Sequence, residues 1–268
     1  MTFNLNKAFR ILRRNYGCPG PDEISIKKIK SNYWMHKCFV EEQLRKNLFQ
    51  FSPPRITLIS SGTYSKETRN IFVYSVFDRW VQIAIKLELE KHIRLRDYVF
   101  SYRKGTNKIH ALQYLLVSQP HYLLTIDLRR FFESIDKVNL FEKLKMKILD
   151  NNLLRLTQDS ISHSENGLPL GNCISPLLAN FYLSEIDEVF PKYFSRYSDD
   201  LFFSLDNISN VDNIIEKVNN IITKHLHLEL NWDKIFIYKN PKLGNIIDEF
   251  PWLINTEHRQ YKLHATQK

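Results

Sequence analysis

The chain has 268 residues, 43% hydrophobic and 25% charged, which is the balance of a folded soluble protein. Its formal net charge of +9 and pI of about 9.3 favour a polyanionic partner, either nucleic acid or an acidic membrane surface. No apolar run reaches about eighteen residues, so no membrane-spanning helix is expected. Cys18, Cys38 and Cys173 lack metal-ligand spacing and fit a reducing cytoplasm.

Residues 1–60 read as helices and turns rich in Lys and Arg. The basic cluster Lys27, Lys28 and Lys30 reads first as a solvated face and second as a contact for an RNA backbone. Residues 33–51 have helical character up to Ser52-Pro53-Pro54, and Tyr33, Trp34 and Phe39 read as core. An extended piece at 55–60, a turn at Ser61-Gly62 and a partner strand at 71–74 follow. Residues 78–93 form a helix with Trp80, Ile83, Ala84 and Leu87 on one face.

The second half is more regular. Residues 122–127 are a short apolar run, consistent with a buried strand. Asp136 can cap a helix to about Leu149, and Ser175-Pro176 opens another that runs to about Val189. Residues 194–205 read as two strands around a polar turn. Val211, Ile214, Ile215, Val218, Ile221, Ile222 and Leu226 keep the 3.6-residue spacing of an amphipathic helix, and residues 228–238 read as a strand. The order β-α-(α)-β-β-α-β is a split βαβ pattern, an antiparallel sheet backed by helices.

The chemistry concentrates at Asp199-Asp200. Adjacent carboxylates repel each other in a hairpin turn unless water or cations screen them, although Asp is also common in ordinary surface turns. Here the flanks, Arg196-Tyr197-Ser198 and Leu201-Phe202-Phe203, are too apolar for a casual loop. A partner should come from a neighbouring strand. Asp127, at the end of Leu123-Leu124-Thr125-Ile126, qualifies, because a charge emerging from a buried strand needs a reason; its alternative is a helix cap. Three such carboxylates would bind two divalent ions about 3.5–4 Å apart, Mg²⁺ by the all-oxygen donor set with Mn²⁺ as a substitute.

Around these acids lie ordered motifs. Thr125-Ile126-Asp127-Leu128-Arg129-Arg130-Phe131-Phe132 resembles motif A of reverse transcriptases. Gly167-Leu168-Pro169-Leu170-Gly171 with the stretch to Asn180 resembles motif B, Tyr197-Ser198-Asp199-Asp200 motif C, and Leu228-Glu229-Leu230-Asn231-Trp232-Asp233-Lys234 motif D. Arg69, the stretch Asp78-Arg79-Trp80-Val81-Gln82, and Ser101-Tyr102-Arg103-Lys104-Gly105 are similar to finger motifs of the bacterial branch, which includes group II intron, retron and defence-associated enzymes. Their order and spacing over about residues 50–240 carry the resemblance.

It implies an α+β right-hand polymerase with helical/β fingers (1–120), a ferredoxin-like palm (121–240) and a short C-terminal segment (241–268), the thumb reduced or absent. It further implies an RNA-directed DNA polymerase that adds dNTPs to a 3′-hydroxyl, with Asp127, Asp199 and Asp200 as catalytic metal ligands. Phe132 matches the steric gate against ribose, Arg69 the contact to the incoming triphosphate, Pro169 and Gly171 the nucleotide-facing loop, and Lys234 the cation at the leaving pyrophosphate. Without the resemblance, Arg69 and Lys234 are ordinary surface cations and Phe132 a core ring. The implied partners are an RNA template, expected to be a cognate noncoding RNA, a DNA primer or product, dNTPs, and a protein supplying thumb or effector function; a membrane is not expected. Bacterial anti-phage defence is the expected setting.

Departures qualify this picture. Leu170 stands where the family often has Gln, which removes a polar contact near the nascent pair. No Val-Thr-Gly triplet of the retron kind occurs, and a candidate primer grip falls at 245–254. The alternatives are untemplated or protein-templated synthesis, or a non-catalytic RNA-binding scaffold.

Overall fold

In a computed structural model of the protein, residues 3–14, 18–60, 68–243, 246 and 259–260 are described. In chain order the described elements are α1 (Leu5–Leu12), α2 (Ile26–Ser31), α3 (Tyr33–Arg45), β1 (Arg55–Ser60), β2 (Thr68–Val73), α4 (Val76–His92), α5 (Lys108–Leu116), β3 (Tyr122–Ile126), α6 (Phe131–Ser134), α7 (Lys137–Lys147), α8 (Asn151–Ile161), α9 (Ser175–Tyr182), α10 (Ser184–Val189), β4 (Phe194–Tyr197), β5 (Asp200–Leu205), α11 (Val211–Asn220), β6 (Phe236–Lys239) and β7 (Arg259–Gln260). None of the described helices is long and apolar enough to cross a membrane. The Ser61-Gly62 turn and the 245–254 primer grip lie outside the described residues, apart from Ile246.

The chain packs as two compact units that it crosses three times: Met1–Arg94 with Asp136–Leu178, and Leu95–Ile135 with Ala179–Lys268. These packing units do not coincide with the expected divisions at 120 and 240.

In the first unit, α4 is the central element. Ser75 caps it, its hydroxyl accepting from the Asp78 amide, and buried residues run almost all round it, including Trp80, Val81, Ala84, Ile85 and Leu89. The Trp80 indole donates to the Leu5 carbonyl (2.9 Å) and its ring lies against Phe9 and Tyr33. α3 stops well before the two prolines. Asn47 takes φ +57°, its amide donating to Leu44 and that of Leu48 to Gln43, the Schellman pattern that ends a helix. Trp34 (68% exposed) and Phe39 (54%) are therefore surface residues, not the core expected of them. α8, which the sequence reading did not resolve, is capped by Asp150 and buries Leu153, Leu156 and Ile161.

The second unit is built on a five-stranded sheet in the order β4-β5-β3-β6-β7, every pairing antiparallel. Strands β4, β5, β3 and β6 reproduce the split βαβ arrangement read from the hydrophobic pattern. β3 and β5 are buried along almost their whole length, as their largely apolar runs require, with Thr125 and Ser204 the polar residues inside them. α5, also missed, packs Ala111, Leu112 and Leu115 on Leu123, Phe202 and Tyr238. It starts with an Asn107/His110 reciprocal cap in place of the Ser/Thr with Glu/Gln that marks such starts in sequence. Residues 228–235 are not strand: Leu230 makes one isolated bridge to Leu128, a 3-10 turn at Trp232–Lys234 follows, and only then β6.

Candidate active site

Strand register brings the three acids together. Ile126 of β3 pairs with Leu201 of β5, so Asp127 emerges beside Asp200, and Tyr197 pairs with Asp200 across a two-residue turn of Ser198 and Asp199. Ser198 has φ +60°, the left-handed geometry that hairpin turns favour and that a non-glycine residue adopts at a cost. Its hydroxyl lies 3.0 Å from that of Tyr102, which holds the turn. The Tyr102 ring also meets Phe132 edge-on at 6.4 Å. Phe131 is buried in the core, while Phe132 is half-buried.

The electrostatics show the crowding. Burial, then the negative charges of Asp200 and Asp127, push the Asp199 carboxyl up to about 6. The Asp200 carboxyl is also raised by burial, against the pull of Lys108. Lys108 Nζ lies 2.8 Å from Asp200 Oδ1 and 5.8 Å from the Phe202 ring centre. Lys234 Nζ lies 3.3 Å from Asp127 Oδ2, and Asn231 Nδ2 donates to Asp127 Oδ1 at 3.0 Å. The Asn231 amide donates to the Asp127 carbonyl and the Arg129 amide to that of Glu229, so residues 229–234 wrap the acid. Asp127 and Asp200 each face a lysine; among the described residues no three His, Cys, Asp or Glu side chains converge closely enough to hold a metal ion. The donor set itself, three carboxylates on adjacent strand ends, suits a hard divalent cation.

Beneath the turn lies a network that the sequence reading overlooked. Arg196 is fully buried. Its guanidinium forks onto Asp187 (2.6 and 2.8 Å) and donates to the Asn180 side chain and carbonyl (both 2.8 Å). Asn180 in turn accepts from the Ser101 hydroxyl (2.7 Å) and donates to its carbonyl. The Arg196 backbone bonds to Tyr98 and Phe100. The signal was an arginine inside an apolar strand, two residues before Ser198. Lys108 carried a signal too: a cation in the first turn of a helix opposes the helix dipole and calls for a nearby anion.

Arg69, Pro169 and Gly171 belong to the other unit. Arg69 is exposed on β2. The Phe72 amide of that strand donates to the Leu170 carbonyl (2.8 Å), which ties the motif B loop to the hairpin. Gly171 has φ +99°, and a Cβ there would lie 2.4 Å from the Phe72 carbonyl oxygen, so backbone packing demands glycine. His225 Nδ1 lies 3.3 Å from Glu185 Oε2.

With this geometry in place, comparison with known proteins is informative. The reverse transcriptase (RNA-dependent DNA polymerase) family matches residues 60–259. The group II intron-encoded protein LtrA of Lactococcus lactis subsp. cremoris is 25% identical over 181 residues, 62% of this chain and 29% of that protein. An uncharacterized 91 kDa protein in a cob intron of Schizosaccharomyces pombe is 27% identical over 164 residues, 55% of this chain and 20% of that protein. The chain thus spans less than a third of the length of these relatives. A solved telomerase from Candida albicans, in complex with a TWJ fragment of telomeric RNA, aligns with a TM-score of 0.52 at 13% identity over 81% of this chain and 47% of that one. That likeness shows the α+β fold of a right-hand polymerase. Fold and family agree: the chain belongs to the reverse transcriptase (RNA-dependent DNA polymerase) family.

Proposed function

We propose that the chain is an RNA-directed DNA polymerase that extends a 3′-hydroxyl with deoxynucleotides at Asp127, Asp199 and Asp200. The observation that carries this reading is the strand register that sets Asp127 beside the Asp199-Asp200 turn, with Lys234 on the same acid cluster. Divalent ions there, Mg²⁺ with Mn²⁺ as a substitute, would activate the 3′-hydroxyl and neutralise the triphosphate. Asp127 and Asp199 are the principal ligands and Asp200 the second carboxylate of the turn. Lys234 neutralises or protonates the departing pyrophosphate. Phe132, backed by Tyr102, excludes a ribose 2′-hydroxyl. Arg69 takes the triphosphate, and Pro169 and Gly171 shape the loop that meets the nucleotide. In functional terms residues 1–120 serve as fingers, 121–240 as palm and 241–268 as a C-terminal segment with a primer grip.

The template in this reading is a small cognate noncoding RNA, copied in bacterial anti-phage defence with a protein partner completing the grip. Kinship with intron-encoded proteins supports RNA as the template class. A second reading, untemplated synthesis, is favoured by Leu170. That residue supplies a backbone carbonyl to Phe72 but no polar side chain to a nascent pair.

The test incubates purified protein and its copurifying RNA with labelled dNTPs and Mg²⁺, beside an Asp199→Ala, Asp200→Ala variant. The variant should lose incorporation by on the order of a thousandfold or more, since it removes several kcal/mol of transition-state stabilisation. Equal incorporation by both proteins rejects the active site. Ribonuclease treatment of the template beforehand should abolish synthesis; persistence would favour the untemplated reading.

A further inference from the structure

α1 and α2 enclose a cavity of about 460 Å³ lined by Arg10, Arg13, Arg14, Lys27 and Lys30 over the buried side chain of Ile26. We infer that this cavity is a second nucleic-acid site, a groove for the phosphate backbone of single-stranded RNA. The inference rests on RNA being the polymer this chain handles, and it extends that reading to residues of the unit that does not carry the three acids.

Three observations carry it. First, the cations come from both elements. Arg10 on α1, Arg13 and Arg14 immediately after it, and Lys27 and Lys30 on α2 line one concavity, the two lysines three residues apart on the helix and so about 5–6 Å apart at Cβ. A polyanionic strand lying in it would meet cations from both elements. Second, among the described residues none of the five forms an ion pair with a carboxylate, although Lys37 on α3 and Lys46 just after it are paired at 2.6 Å with Glu41 and Glu42. Five cations around one concavity, with no carboxylate partner among the described residues, repel each other, and a polyanion relieves that repulsion. Arginine adds the planar fork that grips phosphate oxygens.

Third, an exposed aromatic is tied to α1. The Tyr33 hydroxyl donates to Asn6 Oδ1 of α1, one turn before Arg10, and its ring meets Trp34 at 5.3 Å. The Trp34 indole is 68% exposed and carries Lys37 at 5.6 Å from its ring centre. Basic groove plus exposed indole is the combination that binds single strands, phosphates taken by the cations and a base stacked on the ring. A closed duplex has no free base face to offer.

The experiment measures fluorescence anisotropy of a labelled single-stranded RNA with the full chain in EDTA, across a salt series. An Arg13→Gln, Arg14→Gln, Lys30→Gln variant should bind more weakly and lower the slope of log affinity against log salt by about 2, roughly 0.7 per cation. Trp34→Ala should weaken binding about fivefold or more while leaving that slope unchanged. All four positions are exposed, and circular dichroism with thermal melting checks that the variants fold. An unchanged slope and affinity in a folded triple variant overturns the inference. So does tight binding of inorganic tripolyphosphate or of anionic phospholipid vesicles that the triple variant loses while RNA binding stays as in the wild type. The Asp199→Ala, Asp200→Ala variant should bind this RNA as the wild type does in EDTA. The triple variant should still extend a self-priming RNA–DNA hairpin at saturating concentration. Failure of the groove and failure of the polymerase reading therefore give different results.

Discussion

Two antiparallel hairpins of this protein are alike in diagram and opposite in physics. β4–β5 is buried along nearly its whole length, and even its arginine, Arg196, has no contact with water. β1–β2 is exposed on much of its surface, with Ile56, Leu58 and Ile59 each more than half exposed. A two-stranded ribbon on its own is marginal in water, so β1–β2 depends on a few ties, whereas β4–β5 is fixed by a core on both faces. The turn that must hold carboxylates in one geometry sits on the rigid hairpin. Arg69, the candidate triphosphate contact, sits on the loosely held one. Placement in a core suits acids that repel each other, and an exposed ribbon leaves Arg69 open to a substrate.

The comparison breaks most visibly at Arg196. Arg196→Ala leaves Asp187 as a buried charge without its fork partner, a loss of about 3–5 kcal/mol. Chemical denaturation should show that shift. Replacing the pair by an isosteric apolar couple, Arg196→Met with Asp187→Leu, should recover most of it. If the single variant costs no more than a surface substitution, the network does not anchor the turn.

Asp78 sharpens the other side, because its carboxylate accepts from the Ser75 hydroxyl (2.8 Å) and from the Ser52 amide just before β1. Burial pushes this carboxyl up to about 6 from an ordinary value of 3.8, despite those hydrogen bonds. An acid raised on folding contributes stability that is fully present below 3.8 and lost as pH rises through about 6. Wild type should therefore gain on an Asp78→Asn variant as pH falls from 7 towards 4, by at most about 3 kcal/mol. Stability differences that stay flat over that window would show that Asp78 does not titrate as a buried acid.

A smaller effect is expected at Gly171. Gly171→Ala places a methyl against the Phe72 carbonyl and an L-residue at φ +99°, a cost of about 2 kcal/mol. The damage should be local. Hydrogen exchange at the Phe72 amide, which donates to Leu170, should accelerate while the amides of β3 stay protected. Gly105, with φ +79° and nothing within 4 Å, is the control that carries the backbone strain without the clash.

The two hairpins were also unequally legible in the sequence. The sheet could be read because β3 and β5 are largely apolar runs and α11 keeps its 3.6-residue period, and the acids stood out because charges end those runs. The end of α3 was misread because prolines are conspicuous, while a Schellman turn at Asn47 is a matter of φ alone. α5 and α8 escaped because their caps, Asn107 and Asp150, lack the Glu or Gln three residues on that marks a helix start in sequence. Asn231, Tyr102 and the Arg196 network escaped for a different reason. Their partners lie between 9 and 104 residues away in the chain, and no local pattern encodes such a meeting.

Lys108 offers the smallest effect and the finest probe of the rigid hairpin. Its ammonium holds Asp200 Oδ1 at 2.8 Å, and the pair is more sheltered than Lys234 with Asp127, the lysines being 29% and 59% exposed. A cation seated on that oxygen competes with any divalent ion for it. Lys108→Met should therefore tighten Mn²⁺ binding, followed by electron paramagnetic resonance, by about fivefold, equivalent to ~1 kcal/mol for a partly sheltered ion pair. Half-saturation by Mg²⁺ in dNTP incorporation should fall in step, while Lys108→Arg keeps the wild-type value. Lys234, by contrast, is proposed to act at the leaving group, so Lys234→Met should lower the rate by more than its contact with Asp127 changes metal affinity. If Lys108→Met weakens metal binding, the lysine is holding Asp200 in its coordinating position and not competing for it. The rigidity of β4–β5 would then be insufficient by itself to set the site.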